Sequence, residues 1–317
     1  MGKERIAAYD ILKGIGIILM LYAHSFPGNI LYPFIMAFHM PLFFILSGVF
    51  FNSHDQFGKQ LIKDFRRLLL PFILISIIQL TFGLIHSVLF HSGLFSRTCH
   101  SILYMSSPSW FLPALFMSRL LFCAIIKRTS YYLLYSLMIS SISLLLTKYF
   151  SLNTLLAITS ATGSVIFIAL GYYAKEHRVI GKMQESPRKP FFLLFAIFLW
   201  TNTSIRGSID MHINYYKLWV IDYIGACGGT YLFFNICQLI EKHLHIVKAL
   251  LTFSGFYSLI ILSFHSIEYL IFYFVQPWDN CYYVFLFRLL FSTISIYMTL
   301  NFKPLKQIFF PNTPQSS

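Results

Sequence analysis

Charge is what this chain has least of. Asp, Glu, Lys and Arg together make up only 11% of its 317 residues, where a soluble domain carries about 25%. No polar stretch is long enough to form a separate soluble domain. Acidic residues are especially few, 11 against 24 basic ones. Short strings with readable chemistry are also missing. The sequence has no Walker A loop, no HExxH and no G-x-S-x-G nucleophile elbow. Its five cysteines, Cys99, Cys123, Cys227, Cys237 and Cys281, form no CxxC pair, and its histidines have no convincing metal-ligand spacing. These absences argue against P-loop hydrolysis, zinc proteolysis, serine hydrolysis and dithiol redox chemistry, and no bound metal is expected. No internal repeat is visible, which argues against a transporter built from inverted halves.

Apolar residues fill the space. Hydrophobic residues are 57% of the chain and aromatics 19%, and the mean hydropathy is +0.69. The composition is that of an integral membrane protein. The net charge of +13 would suggest nucleic acid in a soluble protein. In a membrane protein it is better read as basic loops facing anionic lipid on the cytoplasmic side, so membrane lipid is an expected partner and nucleic acid is not.

A spanning helix needs about 20 mostly apolar residues. Ten segments qualify: 8–26, 31–51, 68–90, 110–126, 131–147, 153–174, 191–206, 219–240, 252–275 and 282–301. The seventh is the weakest, because its apolar part runs into TNTSIR. With both termini inside, the cytoplasmic segments hold 17 of the 24 basic residues and the outer segments hold four, Arg97, Lys148, Arg206 and Lys217. The remaining three, Lys13, Arg119 and Arg288, lie within or at the edges of apolar runs. This asymmetry sets the expected topology. Dropping the seventh span would move the basic EKHLHIVK loop outside and weaken it. The expectation is an all-α membrane domain over residues 1–303 with about ten spans, followed by a short cytoplasmic tail, 304–317, whose FFPNTPQSS end is disordered. The first helix lacks a small-residue cleavage site and is expected to be retained. Cys99 and Cys281 fall in expected outer loops, and the sequence does not establish whether they pair.

Ionisable groups inside lipid are expensive, so each is a functional candidate. On the first span, Lys13 and His24 are eleven residues apart, close to three turns, which puts them on nearly one face about 16 Å apart. Asp10 shares that face, and Gly14 and Gly16 permit close approach by a neighbour. Lys13 alone reads equally well as a side chain snorkelling to the inner surface. His39 lies in FHMPLFFILSG, residues 38–48. A hairpin through Pro27, Gly28 and Asn29 can bring it to the same side as His24. Pro41 cannot donate to the Ala37 carbonyl and should bend the helix. That bend serves a packing kink or a cavity equally well. Lys63, Arg66 and Arg67 stand at the inner mouth of the third span, either as topology signals or as a phosphate clamp. His265 and Glu268 are adjacent on one helix face, as a proton relay or a structural pair. Asp222 and Arg288 are candidates for a structural pair across helices. Asp210, His212, Asn214 and Trp219 are candidate sugar contacts in an outer loop.

Four stretches in combination, Asp10-x-x-Lys13-Gly14-x-Gly16…His24, FHMPLFFILSG, Lys63-x-x-Arg66-Arg67-L-L-L-P and Trp110-F-L-P-A-L-F, resemble the membrane acyltransferase-3 family of bacterial multi-span enzymes. Residues 228–265 resemble its C-terminal half, so the resemblance covers nearly the whole chain. In length and layout the chain is similar to members without an appended soluble domain, such as O-acetyltransferases of surface polysaccharides and of the enterobacterial common antigen. The family pattern of a basic residue, ten residues and a histidine falls on Lys13 and His24. Its basic-x-x-Arg pattern falls on Lys63 and Arg66. Lysine stands where arginine is common in both, which keeps the charge but loses the bidentate fork.

The resemblance implies O-acetyl transfer in the bacterial cytoplasmic (inner) membrane. Acetyl-CoA is then the co-substrate, with no tightly bound cofactor, and a glycan or lipid-linked glycan is the acceptor. It further implies catalysis by His24 and His39, as general base or as acyl carrier. Donor binding falls to Lys13, Lys63, Arg66 and Arg67. Beside these, the residues themselves offer Asp10, Trp110, His265 and Glu268 as candidate supporting groups and Asp210 and Asn214 as candidate acceptor contacts. The rival reading is a transporter or flippase of a lipid-linked sugar or organic anion, with the same buried charges lining a path.

Overall fold

The computed structural model describes residues 7–104, 108–150, 157–274 and 280–310. Lys3, Arg5, positions 153–156 of the sixth expected span, residue 275 of the ninth and the tail 311–317 lie outside the described residues. Among the described residues the protein is almost wholly helical. Its first half comprises α1 (Ala7–Ser25), α2 (Tyr32–Met36), α3 (His39–Val49), α4 (Phe57–Asp64), α5 (Leu70–Phe90), α6 (Leu94–Leu103), α7 (Phe111–Ile126) and α8 (Tyr132–Phe150). Then follow α9 (Ile158–Glu176), α10 (Val179–Glu185), α11 (Lys189–Arg206), α12 (Val220–His243), α13 (His245–Phe256), α14 (Ser258–Phe274), α15 (Cys281–Asn301) and α16 (Lys303–Phe309). A small antiparallel ladder, β1 (Ile209–Asp210) and β2 (Tyr215–Tyr216), interrupts the series between α11 and α12. Prolines stand at the first turns of α2, α11 and α16, where the missing N–H costs nothing.

Among the described residues, seven helical runs are long and apolar enough to cross a membrane, and the α13–α14 pair, bent by 69°, is an eighth if it counts as one span. The outward faces carry an apolar belt, including Ile77, Leu84 and Val88 on α5, Phe191, Leu194 and Phe198 on α11, and Leu286 and Leu290 on α15, all exposed. A surface of this kind is stable only in lipid. The protein is a multi-pass membrane protein. The two expected spans that fall short in length or composition, α9 and α11, are helical nonetheless. Their polarity has local reasons. α9 is central, with Val165 to Ala169 almost fully buried, so its polar groups meet protein. Ser118 donates to the Ala161 carbonyl at 2.6 Å, Ser164 to the Ser160 carbonyl at 2.5 Å, and Ser143 and Thr162 bond to each other at 2.7 Å. On α11, Thr203 and Ser204 are buried, and Ser204 donates to the Trp200 carbonyl of its own helix.

Lipid is as apolar as the helices, so the bundle is held by close packing instead of release of water. α1 shows how. A Cβ on Gly14 would collide with the Leu251 carbonyl on α13, and one on Gly255 of α13 would collide with the Asp10 carbonyl on α1. Each glycine thus admits the other helix's backbone. This contact fixes α1, which carries Lys13 and His24.

The second expected span is broken. α2 ends at Met36 and α3 begins at His39. The break falls where Pro41 withdraws the donor for the Ala37 carbonyl, as expected for proline. At the other end of the chain, α16 packs Phe309 into the core near Phe264, with ring centroids 6.0 Å apart. All five cysteines are free thiols.

Candidate functional site

Two cavities stack along α1. The first, about 330 Å³, lies at the His24 end and is lined by His24, His39, Trp110, Asp210 and His212 among others. The second, about 140 Å³, lies at the Lys13 end and is lined by Lys13, Lys63, Arg67 and Arg119, with Ser47, Asp64 and Ser258. Among the described residues, Leu262 of α14 is the one side chain common to both linings. It stands where the two meet.

In the histidine cavity the hairpin of α1 with α2 and α3 brings His24 and His39 together, as the sequence suggested. His39 is buried, and its Nδ1 lies 3.0 Å from the Ile35 carbonyl. A carbonyl only accepts, so Nδ1 carries the proton and Nε2 holds the free lone pair. The broken helix therefore does two things: it places His39 at the start of α3, and it offers a carbonyl from α2 to fix the ring. Behind His24 stands His265, with ring centroids 5.2 Å apart. His265 Nδ1 is 2.7 Å from Glu268 Oε2, and Arg288 Nε is 3.8 Å from the same oxygen. His265, Glu268 and Arg288 are all buried. The adjacency of His265 and Glu268 was legible from their spacing; their position behind His24 was not.

Arg288 therefore faces Glu268, not Asp222 as expected. Asp222 accepts from the Leu218 backbone at 2.8 Å and so closes the loop ahead of α12.

On the loop side, Asp210 and His212 line the cavity. Asp210 Oδ1 accepts from the His212 backbone at 3.1 Å, and the His212 ring lies 5.7 Å from Trp110. Asn214 does not reach the cavity. Its amide donates to Ser143 and Thr147 at 3.0 and 3.1 Å, tying the hairpin to α8. Trp219 is also outside the cavity lining, half-exposed, with Nε1 3.3 Å from Ser141 Oγ.

In the basic cavity, Lys13 is paired with Asp10 at 2.7 Å and Lys63 with Asp55 at 3.5 Å. A π-helical turn, Phe65–Leu69, joins α4 to α5, and such turns are frequent at functional sites. Arg67 on this turn lines the cavity, whereas Arg66 is outside the lining. The sequence missed Arg119 and its partner Asp64 as members of this site. The signal was present, since an arginine inside an apolar run rarely lacks a reason.

With this geometry in view, the comparisons define the class. A family model described as an acyltransferase domain matches residues 6–300 of the chain. No curated protein and no solved structure matches it. The chain belongs to the acyltransferase-3 family and is a membrane acyltransferase that transfers groups other than aminoacyl groups.

Proposed function

We propose that the protein is an O-acetyltransferase of the bacterial inner membrane. In this reading it crosses the bilayer about ten times with both termini cytoplasmic. It moves acetyl from cytoplasmic acetyl-CoA to a sugar hydroxyl of a cell-surface polysaccharide or its lipid-linked precursor. The observation that carries the reading is the stacking of the two cavities: a cationic one at the Lys13 end and one holding His24 and His39 at the other, about 16 Å apart along α1. That separation suits a donor held by its phosphates below, with an extended pantetheine arm that delivers the thioester to the histidines above.

The chemistry then follows from the residues. The acceptor hydroxyl enters between Trp110, Asp210 and His212. Its oxygen attacks the thioester carbonyl while the His24 imidazole removes its proton. The tetrahedral intermediate collapses with cleavage of the C–S bond. The leaving sulfur takes the proton back from His24, giving an ester and CoA thiol. His39 Nε2, fixed by the bond from Nδ1 to Ile35, orients the hydroxyl. His265, held by Glu268, backs the His24 ring.

The test uses purified protein with radiolabelled acetyl-CoA and membrane glycan from the source cells. Wild type should label the glycan and release CoA. His24→Ala should remain folded and inserted and lose at least about 100-fold in rate, the usual worth of a general base. Glycan labelling by His24→Ala at the wild-type rate would overturn the assignment.

A further inference from the structure

Arg119 is the buried cation that neither the sequence motifs nor the family pattern accounts for. It sits in the middle of α7, within an apolar run, and is 9% exposed. Its environment is unusually complete. Nε donates to Asp64 Oδ2 at 2.9 Å. Nη1 donates to the Ser47 carbonyl at 3.1 Å and to Ser47 Oγ at 2.7 Å. Its Cζ lies 5.3 Å from the centre of the Phe51 ring. Asp64 is fixed in turn by Gln60 Nε2. Three helices, α3, α4 and α7, therefore hold one guanidinium in one plane.

A purely structural role explains this poorly. Burying an ion pair costs desolvation that its own attraction seldom exceeds, and apolar packing would serve stability as well. The guanidinium also lines the basic cavity beside Lys13, Lys63 and Arg67. Lys13 and Lys63 already have carboxylate partners. Arg119 spends Nε and Nη1 on the protein, and its Nη2 forms no hydrogen bond with the described residues. A guanidinium held on one edge and bare on the other is well suited to an anion whose position must be fixed, because its fork loses little freedom on binding.

Depth identifies the part of the ligand. Arg119 is nine residues along α7 from Trp110, about 13.5 Å below the histidine cavity. That is the reach of the pantetheine arm, and the group at the arm's far end is the diphosphate. On the donor reading above, we propose that Arg119 binds the diphosphate of the acyl-CoA donor. It acts with Arg67 as the two guanidinium forks of the site, and Asp64 and Ser47 are its positioning residues.

The test is equilibrium binding of acetyl-CoA, acetyl-3′-dephospho-CoA and S-acetylpantetheine to the full chain in nanodiscs. Arg119→Gln should weaken acetyl-CoA about 10- to 100-fold, the worth of a hydrogen bond to a charged group. It should weaken the dephospho analogue equally, because that analogue retains the diphosphate, and leave S-acetylpantetheine unchanged. Should Arg119→Gln fail to fold, Arg119→Lys and Ser47→Ala carry the test. Each should weaken the two diphosphate ligands severalfold without lowering the melting temperature in proportion. Three results overturn the assignment: acetyl-CoA binding within about threefold of wild type, loss of all three ligands alike, or a defect that disappears with the dephospho analogue. Wild type that binds S-acetylpantetheine but gains nothing from the diphosphate also overturns it, while the acyl-transfer reading stands. Wild type that binds none of the three ligands overturns the donor reading itself.

Discussion

His39 offers a sharp test because its two ring nitrogens have separate jobs. Nδ1 donates to the Ile35 carbonyl at 3.0 Å, and the proposed mechanism gives Nε2 the acceptor hydroxyl. Asparagine at this position places an amide N–H close to Nδ1 and removes everything at Nε2. His39→Asn should therefore keep the local bond and cost little stability, within the roughly 0.5–1.5 kcal/mol of one neutral hydrogen bond. Turnover should respond quite differently. Removing a positioned acid–base or orienting group costs about 10²- to 10⁴-fold in rate, or roughly 3–5 kcal/mol of transition-state stabilisation. His39→Ala loses both jobs, leaves the Ile35 carbonyl without its side-chain donor, and should lower both stability and rate. Thermal unfolding in detergent reads the first quantity, and CoA release under saturating donor reads the second. If His39→Asn retains turnover within tenfold of wild type while His39→Ala does not, the Ile35 bond is the whole of the residue's contribution. The role assigned to Nε2 would then be wrong.

Two other perturbations address different levels of the structure. Leu262→Ala cuts back the side chain where the cavities meet and should shift the kcat/KM ratio of butyryl-CoA to acetyl-CoA upward by about 10- to 200-fold, the worth of a methylene in a tight apolar site; an unchanged ratio across a series of acyl lengths would show that Leu262 does not border the acyl path. Gly14→Val drives a branched side chain into the Leu251 carbonyl of α13 and should destabilise by about 1–3 kcal/mol. Thermal unfolding in lipid nanodiscs checks it, and a wild-type melting temperature would mean that α1 and α13 separate freely.

Much of this molecule could be read from one dimension. Apolar length located helix at all ten expected segments, and the proline rule located the break ahead of His39 to within a few residues. The pairing of His24 with His39 followed from a short hairpin, and the pairing of His265 with Glu268 from a spacing of three. What stayed hidden depended on which helices became neighbours. Nothing local says that α14 lies behind α1, so the approach of His265 to His24 could not be seen. The same holds for Arg119, whose partner Asp64 is 55 residues away in sequence, and for Arg288, which was given the wrong carboxylate. Arg66 and Arg67 are adjacent letters, yet the π-helical turn sends only Arg67 to the cavity lining. Asn214 looked like a ligand contact because asparagine suits sugars; its buried bonds to Ser143 and Thr147 instead hold a loop in place.

The place of Leu262 bears on more than acyl length. On the proposed reading the two cavities serve opposite sides of the membrane, and one unbroken column of water between them would let protons run down their gradient at every turnover. Leu262 belongs to both linings, so its side chain stands where such a column would have to pass. When the thin arm of a donor passes it, that arm occupies the gap it opens. On the proposed donor path the substrate is its own seal, and an acyl group crosses without opening a leak for protons.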